Sequence, residues 1–225
     1  MKLKIEDKNT VFFSSDLHGF HRNICGGTSK WLKPEAWPIP YNEWKDNEAR
    51  KKFCKEHHVR DFPDPETMTD LIVDNINSRV KETDTLIVAG DWSFGHISNI
   101  RALRMRIKCQ NLHLIYGNHD GDIIDRRNGF QDLFSSVQFV KDIEVEKQQI
   151  FLSHYSHRVW NKSHRGVWHL FGHSHGNLPD DPNSLSMDVG VDTHPYMMPY
   201  SFDEIASIMS KKTFKPVDNH REKKK

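Results

Sequence analysis

Leu112-His113-Leu114-Ile115-Tyr116-Gly117-Asn118-His119-Asp120 is the stretch on which the fold turns. A short apolar run that reads as a buried strand passes directly into glycine and then into an amide, an imidazole and a carboxylate. The same scheme recurs four times. Thr10-Val11-Phe12-Phe13-Ser14-Ser15 runs into Asp16-Leu17-His18, and Thr85-Leu86-Ile87-Val88-Ala89 into Gly90-Asp91. Ile150-Phe151-Leu152 runs into Ser153-His154, and Val167-Trp168-His169-Leu170-Phe171 into Gly172-His173-Ser174-His175. Open α/β sheets bind ligands outside the strand ends, where loops converge, so these scattered groups can meet in one pocket. Glycine before the ligand suits a sharp exit and a close backbone approach. Asp16-x-His18 and His173-x-His175, if extended, point two side chains to one side.

Helical patterns fall between the strands. Asp64 before Pro65 reads as an N-cap and first helical position, followed by Met68, Leu71, Ile72, Ile76 and Val80 at helical spacing. Ile97, Ile100, Leu103 and Ile107 repeat the pattern, with Arg101, Arg104 and Lys108 on solvated faces, and a last helix is expected over Phe202 to Met209. Val137 to Lys147 with Gln149 to Leu152 reads as a hairpin, and Ser186 to Val191 as a further strand. This alternation predicts an α/β layered domain with a mixed sheet.

One domain is expected over residues 1–210, interrupted by an aromatic-rich insertion at about 23–63 that carries Trp31, Trp37, Tyr41, Trp44, Phe53 and Phe62. Aromatics most often pack, so the insertion reads first as a satellite core or clamp and second as a substrate-shaping lid. Residues 211–225 form a basic tail, expected to be flexible.

The chain has 225 residues, 36% hydrophobic and 28% charged, which excludes a disordered polymer and leaves room for a real core. The net charge of +1 gives no overall pull toward nucleic acid or acidic lipid, although the basic tail leaves the body mildly acidic. No run approaches the roughly 20 apolar residues of a membrane span, and the first residues lack a signal-peptide core, so a cytoplasmic protein without membrane contact is expected. Three cysteines, Cys25, Cys54 and Cys109, without CxxC spacing indicate neither a disulfide framework nor a zinc knuckle. The 15 histidines beside many aspartates stand out, because imidazole and carboxylate bind catalytic transition metals.

Asp16, His18, Asp91, Asn118, His154, His173 and His175 are too many ligands for one four-coordinate ion with an open position. Two ions sharing a bridging carboxylate would use them all. Such a pair, roughly 3.5–4 Å apart, suits in-line displacement at phosphorus by a bridging hydroxide.

Taken in order, Asp16-x-His18, Gly90-Asp91-Trp92-Ser93-Phe94-Gly95, Gly117-Asn118-His119-Asp120, His154 and Gly172-His173-Ser174-His175 resemble the signature of the calcineurin-like metallophosphoesterases, small bacterial and phage members in particular. Val189-Gly190-Val191-Asp192 and Ser201-Phe202-Asp203-Glu204-Ile205 look like the closing strand and helix of those members. The resemblance implies two mixed β-sheets packed as a sandwich and flanked by helices, a four-layer fold. It implies two divalent ions per chain, manganese first, with iron, zinc, nickel or cobalt as alternatives. Asp16, His18 and His175 would hold one, Asn118, His154 and His173 the other, with Asp91 between them. His119 would be the general acid, oriented by Asp120, in hydrolysis of a phosphomono- or phosphodiester. The expected partner is a small phosphate ester, a nucleotide among the options. A nuclease acting on DNA or RNA and a catalytically inactive scaffold of the same fold are the competing readings. The long run between His18 and Asp91 departs from the commonest family spacing and is expected to leave the metal site untouched.

Most remaining histidines, His57, His58, His113, His164, His169, His194 and His220, read as core or surface residues. His21, His96 and His157 lie close enough to a ligand loop to touch substrate or support a ligand. Arg158 and Arg165 could reach a phosphate, as could any basic residues of an exposed loop. Cys25-Gly26-Gly27-Thr28 reads as an ordinary turn.

Overall fold

A computed structural model describes residues 3–25, 60 and 62–218. The interior of the expected insertion, with Trp31, Trp37, Tyr41, Trp44, Phe53 and Cys54, lies outside the described residues, as does the end of the basic tail.

Among the described residues, ten strands form two five-stranded mixed sheets. The first takes β1 (Leu3–Ile5), β6 (Val140–Val145), β7 (Gln148–Ser153), β8 (Trp168–Phe171) and β9 (Ser186–Asp188) in that order. Its β6–β7 pair is antiparallel, while β1–β6, β7–β8 and β8–β9 are parallel. The second has the order β10 (Tyr200–Ser201), β2 (Val11–Ser14), β3 (Thr85–Val88), β4 (Asn111–Ile115) and β5 (Ser136–Gln138). Only its edge strand β10 runs antiparallel.

Period-two alternation explains the layers. On β2, β3 and β4, Val11, Phe13, Ile87 and Ile115 join Ile143, Val145, Ile150, Leu152 and Leu170 of the first sheet in one buried cluster, the seam between the sheets. Their neighbours Phe12, Leu86, Val88, Leu112 and Leu114 face the other way, onto helices α2 (Pro65–Arg79) and α3 (Ser98–Arg106). Strands covered on both faces read as continuous apolar runs, which is why these were legible. On the outer face of the first sheet, Phe151 of β7 packs with Trp160 and Val167 from the loop before β8, a loop cluster. The short helices α1 (Arg22–Cys25) and α4 (Gly121–Ile124) lie next to ligand-bearing turns, and α5 (Phe202–Met209) closes the seam.

Asp64 caps α2 as expected, accepting the Thr67 N–H at 2.8 Å, and α5 begins with a Ser201–Glu204 capping box. The hairpin expectation needs correcting at one end. Residues 136–138 pair with β4 in the second sheet, and the chain crosses at Phe139 to the first, so Val137 does not belong to the hairpin. No helix among the described residues is long and apolar enough to cross a membrane.

Candidate metal centre

The parallel strands β2, β3 and β4 end at one edge of their sheet, and their ladder continues into the ligand loops. Asp16 N–H donates to Gly90 O at 2.9 Å and His18 N–H to Asp91 O at 3.0 Å. The first sheet is tied to that edge in turn. His154 Nδ1 lies 2.8 Å from Ala89 O, Gly172 N–H donates to His154 O at 2.9 Å, and His173 N–H reaches the Asp16 carboxylate at 2.9 Å.

The ligand loops are not extended, contrary to the expectation for the two x-spaced pairs. Asp16, His18, His173 and His175 have φ of 54°, 48°, 68° and 47°, and Asp91 has 56°. Five candidate ligands thus occupy the left-handed region that non-glycine residues rarely adopt, and the pairs converge by tight turning. Glycine is required beside them by space. A Cβ on Gly117 would strike the Asp91 carboxylate and N–H, and one on Gly172 would strike Ser15 Oγ and Asp16.

The side chains gather into two triads. Ligand atoms of Asp16, His18 and His175 lie within 4.8 Å of one another, as do those of Asp91, His154 and His173. Asn118 Oδ1 completes the second group, 2.8 Å from His154 Nε2 and 3.0 Å from His173 Nδ1. Asp91 Oδ2 stands between the groups, 3.3 Å from His18 Nε2 and 3.5 Å from His154 Nε2. All seven sequence-selected ligand residues therefore come together.

Burial pushes the Asp16 carboxyl up to about 7 and the His18 imidazole down to about 4, since neither charge is solvated. At Asp91 burial also acts upward, but the closeness of the His18 imidazole, its Nε2 3.3 Å from Oδ2, and the charge of His154 outweigh it and bring the carboxyl to about 2. His18 Nε2 is buried and makes no hydrogen bond of good geometry. Buried carboxylates facing imidazole lone pairs, with one amide oxygen, form a donor set that fits divalent transition ions. Bond lengths of about 2.0–2.2 Å would bring ligand atoms of one ion to roughly 3–4 Å apart, close to the spacing within each triad.

The remaining selected residues divide. His119 is exposed, its ring 5.5 Å from that of His18 and 4.8 Å from that of Phe94, and its N–H donates to Asp91 Oδ1 at 3.0 Å. Asp120 does not orient His119. Its buried carboxylate accepts the backbone N–H groups of Gly117, Asp91 and Trp92, so its oxygens serve the turn instead. His21 places Nδ1 3.2 Å from His18 Nδ1 and stacks on Phe94 at 3.7 Å, beside the centre. His157 packs instead on Phe151 and His169, in the loop cluster outside the first sheet, and Arg158 is exposed there. A cavity of about 190 Å³ opens beside His119, walled by Phe94, His96, Ile97, Ile100 and Ile123.

Two contributors escaped the sequence reading. Arg60, inside the long run between His18 and Asp91, reaches Asp16 O and Leu17 O, so that run does touch the site. Asp192 accepts from His175 Nδ1 at 2.7 Å. The carboxylate after Gly190-Val191 was a usable signal for Asp192, whereas nothing in the pattern around Arg60 sets it apart.

No protein-family model matches the chain, and no curated protein matches it. It is similar to the crystal structure of a protein of unknown function, AQ665 from Aquifex aeolicus. The TM-score is 0.54 at 19% identity, over 88% of this chain and 98% of that one, a likeness of fold.

Proposed function

We propose that this chain is a calcineurin-like metallophosphoesterase, which hydrolyses phosphomono- or phosphodiesters of small molecules with two divalent cations, manganese first among them. Its two-sheet architecture is then that family's four-layer sandwich. The observation that carries the reading is the position of Asp91 Oδ2, within 3.3 and 3.5 Å of one imidazole from each triad, from which one carboxylate would serve two ions.

Asp16, His18 and His175 would hold one ion, Asn118, His154 and His173 the other, and Asp91 both. When bound, such a pair supplies activated water and neutralises charge that builds on the phosphoryl oxygens. The protein's own groups do the rest. His119, free of both triads and exposed at the rim, delivers a proton to the leaving oxygen, a contribution typically worth about 10²–10⁴-fold. The cavity beside it, walled in part by Phe94 and Ile97, receives the leaving group. His21, through Nδ1, keeps the His18 ring turned so that Nε2 faces the carboxylates.

Purified protein supplied with manganese is expected to cleave nitrophenyl phosphate mono- or diesters and to stop when chelator is added. Asp91→Asn should lose activity together with at least one ion. An Asp91→Asn protein that is fully active without metal would refute the mechanism. Stoichiometric metal uptake with no turnover over a broad ester panel would favour the scaffold reading.

A further inference from the structure

Ile24 and Cys25 are joined through their backbones to Arg60 and Phe62. Arg60 N–H donates to Ile24 O at 2.9 Å and Phe62 N–H to Cys25 O at 2.6 Å. The Arg60 side chain then runs inward and is 3% exposed. Nη1 donates to Leu17 O at 2.8 Å and Nη2 to Asp16 O at 2.5 Å, while Nε and Nη2 take the two oxygens of Asp192 at 2.9 and 2.8 Å. Asp192 Oδ2 also accepts from His175 Nδ1.

We infer that Arg60 and Asp192 are positioning residues for one cation only, the one assigned to Asp16, His18 and His175; this rests on the metal-centre reading above. Three features converge on it. With its proton committed to Asp192 from Nδ1, His175 keeps the Nε2 lone pair toward Asp16 Oδ1, 3.8 Å away. Asp16 sits in the left-handed region, and the guanidinium fastens its carbonyl and the next one, holding the turn in place. Arg60 and Asp192 are neutral as a pair, so the support adds no net charge beneath a cation. The second triad is braced by other groups: His154 Nδ1 meets Ala89 O, and the Asp120 carboxylate holds the turn that carries Asp91.

The arginine's planar fork makes all four contacts at once, which a lysine ammonium cannot reproduce. Removing Asp192 alone is the harsher change, because it frees the His175 ring and leaves an unpaired buried guanidinium under the ion.

The test is manganese titration by equilibrium dialysis with the intact chain and its variants, with circular dichroism to verify folding. Wild type is expected to bind two ions. Asp192→Asn should weaken one of them by about 10–100-fold and leave the other within about threefold. In a His175→Ala background, Asp192→Asn should add almost nothing, since its effect passes through that ring. Arg60→Lys should resemble Asp192→Asn in selectivity. Should Asp192→Asn fail to fold, Asp192→Glu retains the charge with a displaced carboxylate and is expected to weaken the same ion. Equal weakening of both ions, unchanged binding, or a full Asp192→Asn effect without His175 would overturn the inference while two-ion binding by wild type stands. Wild type that takes up no manganese would instead bring down the metal-centre reading, and this inference with it.

Discussion

Asp120 Oδ2 accepts the backbone N–H of Asp91 at 2.9 Å, so the residue expected to serve His119 instead fixes the turn that presents the shared carboxylate. Gly117 N–H, at 2.8 Å, and Trp92 N–H, at 2.9 Å, share the same side chain. Asp120→Ala would leave three buried donors unpaired. At about 1–3 kcal/mol for each orphaned group, a loss of at least about 3 kcal/mol is expected in urea denaturation, together with weaker metal uptake. A variant as stable as wild type would remove Asp120 from this role.

The glycines of the strand exits should divide by space alone. Gly117→Ala and Gly172→Ala push a methyl into Asp91 and Asp16, and both are expected to fold poorly or to lose metal binding. Gly121→Ala, at the start of α4 with nothing within 4 Å of the added carbon, should change stability by no more than about 0.5 kcal/mol. Thermal melts of the three proteins side by side measure the contrast.

Two buried histidines outside the centre set an acid dependence. Burial lowers His113 to about 4, with the Lys141 charge adding to it, and burial lowers His169 to about 4 as well. His169 Nε2 accepts the His157 N–H at 3.0 Å, which only the neutral ring can do. Both folded values lie below that of the unfolded chain, near 6.5, so their contribution is complete above that pH. It is lost as pH falls from 6.5 toward 4, because the unfolded chain takes up protons that the native state refuses. Up to about 3 kcal/mol is at stake for each ring. In His113→Asn the stability deficit relative to wild type should shrink steadily from pH 7 to pH 4.5; a constant deficit would contradict the assignment.

His119→Ala should keep both ions and lose turnover in a leaving-group-dependent way. For a poor alkoxide leaving group the loss is expected at about 10²–10⁴-fold, and for nitrophenolate, which departs without a proton, much less. Comparing kcat for the two esters decides this, and equal losses would exclude His119 as the acid.

The ligand-bearing edge was readable from sequence because each strand is covered on both faces. Val11 to Ser14, Thr85 to Val88 and Asn111 to Ile115 therefore stand out as apolar runs, and the polar residues after each run mark its end. Short edge strands carry no such signal: Leu3–Ile5 and Tyr200–Ser201 are defined by the partners they pair with. The left-handed conformations of Asp16, His18 and His175 were hidden too, since they are imposed by neighbouring loops and not by residue type. Arg60 was the least legible of all. Its importance comes from where the backbone around Ile24 delivers it, and an arginine amid aromatic and charged residues looks ordinary in a linear string.

The stitch that ties Ile24 and Cys25 to Arg60 and Phe62 gives the long run between His18 and Asp91 a fixed doorway beside the candidate centre. A length change on either side of that doorway that displaces the arginine at its threshold is transmitted directly to the carbonyls of Asp16 and Leu17.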